Sequence, residues 1–198
     1  GVVSFIGGSD LFDYHDFLAS KGNEFAFYDV VFDYLAQLDW RTMDLSSIPD
    51  GSPTLSYVTR VAESRGYDFT VQKEDVAPVV VLPTTWDDYQ GALPKKERHE
   101  LRRKLRRLDQ VSGVCHHTYQ NSQVLSDHMW EFLRLHRMSS TDKSEFMTTA
   151  RESFFLDVAE ELSSRGQLVL SFLELEGTKV ASCISFDYLD SFLLYNSG

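Results

Sequence analysis

The stretch that most constrains this chain's fold is "LVLSFLELEGTKVASCISFDY", residues 168–188. "LVLSFLEL" reads as one strand, Glu176-Gly177 as a turn, and "KVASCISFDY" as a second strand running back beside the first. Along 179–188, Val180, Ile184, Phe186 and Tyr188 alternate with Ala181, Cys183, Ser185 and Asp187, the period of two that places successive side chains on opposite faces. One face is apolar apart from Ser182; the other is small and ends in a carboxylate. A face of small residues leaves room for something to lie against it, and Asp187 is placed to accept a proton there. A helix packed tightly over the small residues, with Asp187 at a strand end, fits the same pattern.

The rest of the chain alternates strand and helix. "VVSFI" (2–6) predicts a strand, and 23–38 a helix carrying Phe27, Val31, Tyr34 and Leu38 on one face. A strand follows at 40–45. Ser52 is the N-cap and Pro53 the first residue of a helix over 53–65 that Gly66 ends. Strands at 67–73 and 77–82 complete a β-α-β-α-β-β unit over 1–82. From Pro83 onward the pattern is a short capped helix, a basic helix, and then β-α-α-β-β-β: a strand around "VCHHTYQ", helices 122–138 and 148–165, and three strands to the end. The fold class is α/β, or α+β, with mixed sheets flanked by helices. The first residue is Gly rather than Met and the last apolar run stops at "LLYNSG", which reads as a piece of a longer chain.

Charge narrows the partners. Net charge is −11, yet residues 95–107 carry +6, leaving −17 for the remainder. Leu93, Glu97, Leu101, Leu105 and Leu108 fall on one side of the basic helix, so it reads as an amphipathic helix packed on its leucines. Arg98, Arg102, Arg103 and Arg106, with His99 among them, face the other way and suit an anion, an acidic carrier protein or an anionic surface. DNA is not expected, because an acidic body repels phosphate and no aromatic platform or base-reading motif accompanies the arginines. The longest apolar run, "VAPVVVLP", is too short to span a bilayer. No signal peptide is visible, and two cysteines without metal-like spacing fit a reducing cytoplasm.

Metal chemistry is not expected. His116 and His117 are neighbours on a strand and point to opposite faces; His128 and His136 are eight residues apart on a helix, about 12 Å. Cys115 beside His116 makes a poor nucleophilic pair for the same reason. Asp10, Asp13, His15 and Asp16 follow a strand, where metal binding and an acidic helix start are both open readings. His136 shares a helix face with Leu125, Met129, Phe132 and Leu133 and so projects inward, as a hydrogen-bonded core residue or as an acid, base or substrate contact.

"KKERHELRRKLRRL", "FLRLHR" at 132–137, the long hairpin and "FLLYNSG", in this order, resemble the GNAT superfamily. They are most similar to its Fem-like branch, which includes cellulose-biosynthesis acetyltransferases of the CelD type. The resemblance implies parts of two tandem GNAT-like halves: 1–82 as the later part of the first, 83–198 as the basic helix plus the earlier part of the second. It implies an acyl-CoA donor, acetyl-CoA in the first instance, and an amine acceptor, with the chain stopping before the second half's phosphate-binding loop and Gly7-Gly8-Ser9 as its counterpart in the first. On that basis Asp187 or His136 is the expected proton acceptor. Tyr195, Asn196, Ser185 and Arg137 are the expected donor or acceptor contacts. Two alternatives stay open: an aminoacyl transferase that uses charged transfer RNA, and a non-catalytic scaffold on the same fold.

Overall fold

Capping chemistry fixes where most helices start. In the structure, a computed structural model, Ser52 accepts the amide of Thr54 at 3.0 Å, Thr85 that of Asp88 at 3.1 Å and Thr148 that of Arg151 at 3.3 Å. The described residues are 1–8, 10–120 and 122–198, without the side chains of 122–125; Ser9 and the Leu125 side chain, invoked above, lie outside them. The chain divides into two compact units, Gly1–Leu82 and Pro83–Gly198.

In the first unit, β1 (Val2–Ser4) pairs in parallel with β2 (Thr42–Asp44), and α1 (Glu24–Leu35) packs on α2 (Pro53–Arg65). Tyr28, Phe32 and Val61 are buried together, with Phe17, Phe27, Met43 and Tyr57 packed around them. The buried stripe of α1 is therefore one residue round from the face carrying Tyr34 and Leu38, which are exposed. A hydrogen-bond relay explains the rotation: the Thr54 hydroxyl donates to the Asp16 carboxylate, so its oxygen is left to accept from the Tyr28 hydroxyl.

The strands expected at 67–73 and 77–82 are absent: neither segment joins a ladder among the described residues. Val79 and Val81 are 82% and 91% exposed, and Pro78 has no N–H to contribute to a pairing. β-branched composition favours a strand only where a neighbour supplies the other half of the ladder. The first unit is accordingly β-α-β-α.

The second unit opens with α3 (Trp86–Ala92) and α4 (Lys95–Asp109). The expectation that α4 packs on its leucines is corrected, since none of its residues is buried and Leu105 and Leu108 are over a third exposed. Its ties to α3 are polar: Arg102 donates to the Gln90 side chain at 2.7 Å and Arg98 to the Gly91 carbonyl at 3.2 Å. Next come β3 (Val114–Tyr119), α5 (Ser122–Ser139), α6 (Thr141–Phe146), α7 (Thr149–Ser164), β4 (Leu168–Leu175), β5 (Thr178–Tyr188) and β6 (Ser191–Ser197). The strands form one antiparallel sheet in the order β3-β4-β5-β6. Glu176 and Gly177 both have positive φ, the conformation of a tight two-residue hairpin turn.

Helices α5 and α7 lie on the sheet, against β5 and β4 respectively. Met129, Phe132, Leu133, Phe155 and Ala159 from the helices meet Leu168, Leu170, Phe172 and Ile184 from the strands, all essentially inaccessible to water. The second unit is mixed α/β, with helices packed on an antiparallel sheet. Among the described residues, no helix is long and apolar enough to cross a membrane.

Candidate active site around His136

A break in strand regularity creates the most chemically distinctive place in the second unit. Ile184 faces Asn196 and Ser185 faces Leu194, so β6 carries one extra residue in this register, at Tyr195. Such a bulge re-aims side chains and is common beside active sites. Alternation alone puts Tyr195 and Asn196 on opposite faces, but both meet the helices here. The Tyr195 ring lies 5.5 Å from Phe155 and 4.8 Å from Phe186, and the Asn196 side chain bonds to the imidazole of His136.

His136 is 1% exposed, among the rings of Phe132 and Phe146, each 5.9 Å away, and Phe155 at 6.5 Å. Its Nδ1 has no hydrogen-bond partner among the described residues. Burial pushes the imidazole below its ordinary value; the positive charges of Lys143 and Arg137 act the same way, and the Asn196 bond opposes them. The ring is therefore held neutral near pH 7, with one nitrogen tethered and the other open, the state a proton acceptor needs.

The end of β6 is pinned beside it. Gly198 and Ser182 exchange backbone bonds of 2.9 and 2.7 Å, and the Lys143 ammonium donates to the Ser197 carbonyl. A Cβ on Gly198 would lie 2.4 Å from the His136 backbone nitrogen, a closeness that only glycine allows. Cys183, opposite Ser197, is half-buried, and burial raises its thiol. Sequence reasoning did not single out Lys143, Gly198 or the bonding of Ser182 to Gly198, because each depends on how the strand end meets the α5–α6 corner.

The other residues singled out from sequence are distributed differently. Asp187 is exposed at the far end of β5, three residues beyond Ile184 and so about 10 Å of strand from the residue that faces Asn196. Ser185 is buried within the sheet. Arg137 pairs with the Glu152 carboxylate and donates to the Met147 carbonyl at 3.3 Å. On α4, Arg103 pairs with Glu100 and Arg106 donates to the Arg102 carbonyl. Arg102, Arg106, His99, Leu105 and Gln90 line an open recess of about 500 Å³.

In the first unit, the acidic segment does not converge on an ion-binding centre among the described residues. Asp16 accepts from Thr54 and the Phe17 amide, and His15 lies between the rings of Phe5 and Phe12.

An antiparallel sheet with helices packed on it and an imidazole buried among aromatic rings defines an α/β domain. Residues 95–198, more than half of the chain, match the family model described as "Acetyltransferase (GNAT) domain", and the chain belongs to that family. Acyl transfer between a small-molecule donor and an acceptor is the chemistry that membership carries, and acetyl-CoA is the family's usual donor. No curated protein matches the chain.

Proposed function

We propose that the protein is an N-acyltransferase that moves an acyl group from acyl-CoA to an amine, with His136 as the proton acceptor. Attack by an amine on a thioester forms the C–N bond and expels the thiolate; the ammonium proton must leave the nitrogen, and the thiolate must gain a proton. A neutral imidazole accepts the first and is the source of the second. The single observation carrying this reading is the placement of His136: buried among aromatic rings, with Nδ1 lacking a hydrogen-bond partner among the described residues and burial lowering its affinity for a proton. Asn196, half-buried on β6, bonds the ring's other nitrogen and so fixes the tautomer that leaves Nδ1 to take the proton.

Tyr195 and Asn196 are proposed as donor or acceptor contacts and Asp187 as a second proton acceptor. The recess at Arg102 and Arg106 is proposed as a docking place for anionic groups such as the donor's phosphates. The Fem-like, CelD-type assignment, and Gly1–Leu82 as part of a first GNAT-like half, belong to the same proposal. The separation of the chain at residues 82 and 83 supports the latter.

The test is release of free CoA thiol from acetyl-CoA and longer acyl-CoA with a panel of amines. His136→Ala lowers kcat by about 10²–10⁴-fold, the range for loss of a general base, with little change in KM. Asp187→Asn, assayed separately, lowers it if that carboxylate takes part. Unchanged turnover in both variants rules out the proposal.

A further inference from the structure

At the edge of the sheet, three side chains of different chemistry converge outside the site just described. Cys115 and His117 are two apart on β3 and so share a face; Glu174 on β4 is the direct cross-strand partner of Cys115. Their ligand atoms, one thiol sulfur, one imidazole nitrogen and one carboxylate oxygen, all lie within 4.8 Å of one another, and the group is the only such cluster among the described residues. His117 Nε2 is 3.3 Å from Glu174 Oε2. That equals the nitrogen–oxygen edge of a tetrahedron around zinc, about 3.3 Å for bonds of about 2.0–2.1 Å. Yet the contact lacks hydrogen-bond geometry and leaves Nε2 buried with no hydrogen-bond partner among the described residues.

We propose that Cys115, His117 and Glu174 bind a thiophilic divalent cation, Zn²⁺ in the first instance, with water as the fourth ligand. The donor set is that of a borderline-soft metal: a thiolate excludes Mg²⁺ and Ca²⁺, and one sulfur, one nitrogen and one oxygen suit tetrahedral zinc. Binding replaces coordinated water with the three side chains, and the thiol proton is released to solvent. The exposed Cys115 gives the ion access.

The scaffold holds the register that the site requires. The Glu176 amide donates to the Gly113 carbonyl at 3.0 Å, fixing the start of β3 to the β4–β5 turn and placing Cys115 opposite Glu174. The His117 ring stacks on Tyr119 at 6.3 Å. Lys179, the β5 neighbour of Glu174, lays its ammonium over Phe172 at 4.4 Å and Tyr119 at 5.7 Å. The expectation of no metal rested on His116 and His117 pointing apart, on His128 and His136 lying too far apart, and on cysteines without metal-like spacing. The relevant pair is instead Cys115 and His117, completed by a residue that only strand pairing brings near.

The experiment is a titration of the reduced protein with Co²⁺, followed by displacement with Zn²⁺. Wild type develops a thiolate-to-cobalt charge-transfer band together with the intense visible bands of four-coordinate Co²⁺, and Zn²⁺ abolishes both. Cys115→Ser removes the charge-transfer band, and His117→Gln and Glu174→Gln each weaken binding at least tenfold. His116→Gln and Cys183→Ser, which remove ligand types outside the cluster, bind like wild type. Zn²⁺ also raises the wild-type melting temperature and leaves that of Cys115→Ser unmoved. Absence of the charge-transfer band in wild type overturns the proposal, as does its persistence in Cys115→Ser or an equal loss in His116→Gln and His117→Gln.

Discussion

The buried imidazole of His136 makes a prediction about stability that is independent of catalysis. In the folded protein its affinity for a proton is depressed, first by burial and then by Lys143 and Arg137, against the opposing bond from Asn196. In the unfolded chain the same ring titrates near its ordinary value of about 6.5. Below that pH the unfolded state binds a proton that the folded state refuses, so the contribution is fully present above the unfolded pKa and is lost as pH falls towards the folded one. For one group, the full effect between pH 7.5 and 5.5 is about 1.4 kcal/mol, reached when the folded ring stays neutral throughout. The assay is urea denaturation of wild type and His136→Gln at both pH values. The substitution has its own fixed cost, and the other titrating groups act alike in both proteins, so the comparison is between the two pH-dependent losses. Wild type should lose up to about 1.4 kcal/mol more than the variant. A difference below about 0.4 kcal/mol, under a third of one pKa unit, refutes the claim that the folded ring resists protonation.

Two further predictions probe the scaffold. Thr54→Val removes the hydroxyl between Tyr28 and Asp16, stranding the buried Tyr28 hydroxyl, and should destabilise the first unit by about 1–3 kcal/mol in urea denaturation; pairing it with Tyr28→Phe should recover part of the loss, and a single variant as stable as wild type refutes the relay. Gly198→Ala puts a methyl group against the backbone of His136, which cannot yield as a flexible side chain would; we expect about 1–3 kcal/mol of destabilisation and a displaced β6 end, and wild-type stability would show that the close approach does not constrain the site.

What could be read from sequence followed the range of the interactions involved. Ser52, Pro53 and Gly66 bound α2 through contacts spanning a few residues, and Glu176-Gly177 specifies its hairpin through backbone conformation alone. The inward direction of His136 was also legible, because Met129, Phe132 and Leu133 on the same helix define the buried face. Residues 67–82 show where this reasoning ends: their composition suits strands, but a ladder requires a partner that local sequence does not reveal. The α4 leucines fail similarly, since amphipathic spacing indicates a face suited to packing without supplying what packs on it.

The site was harder to read because it depends on a defect and on registers. With strict alternation, only one of Tyr195 and Asn196 could reach the helices; one extra residue in the β6 register sends both there and brings Asn196 to His136. Cys115 and His117 carried a usable signal, two ligand types spaced two apart on a strand, but Glu174 joins them only through the pairing of β3 with β4, 59 residues away in sequence. In both places, chemistry arises where the sheet sets residues from distant segments side by side. A strand pattern can nominate the individual donors and acceptors, but the register determines which of them meet.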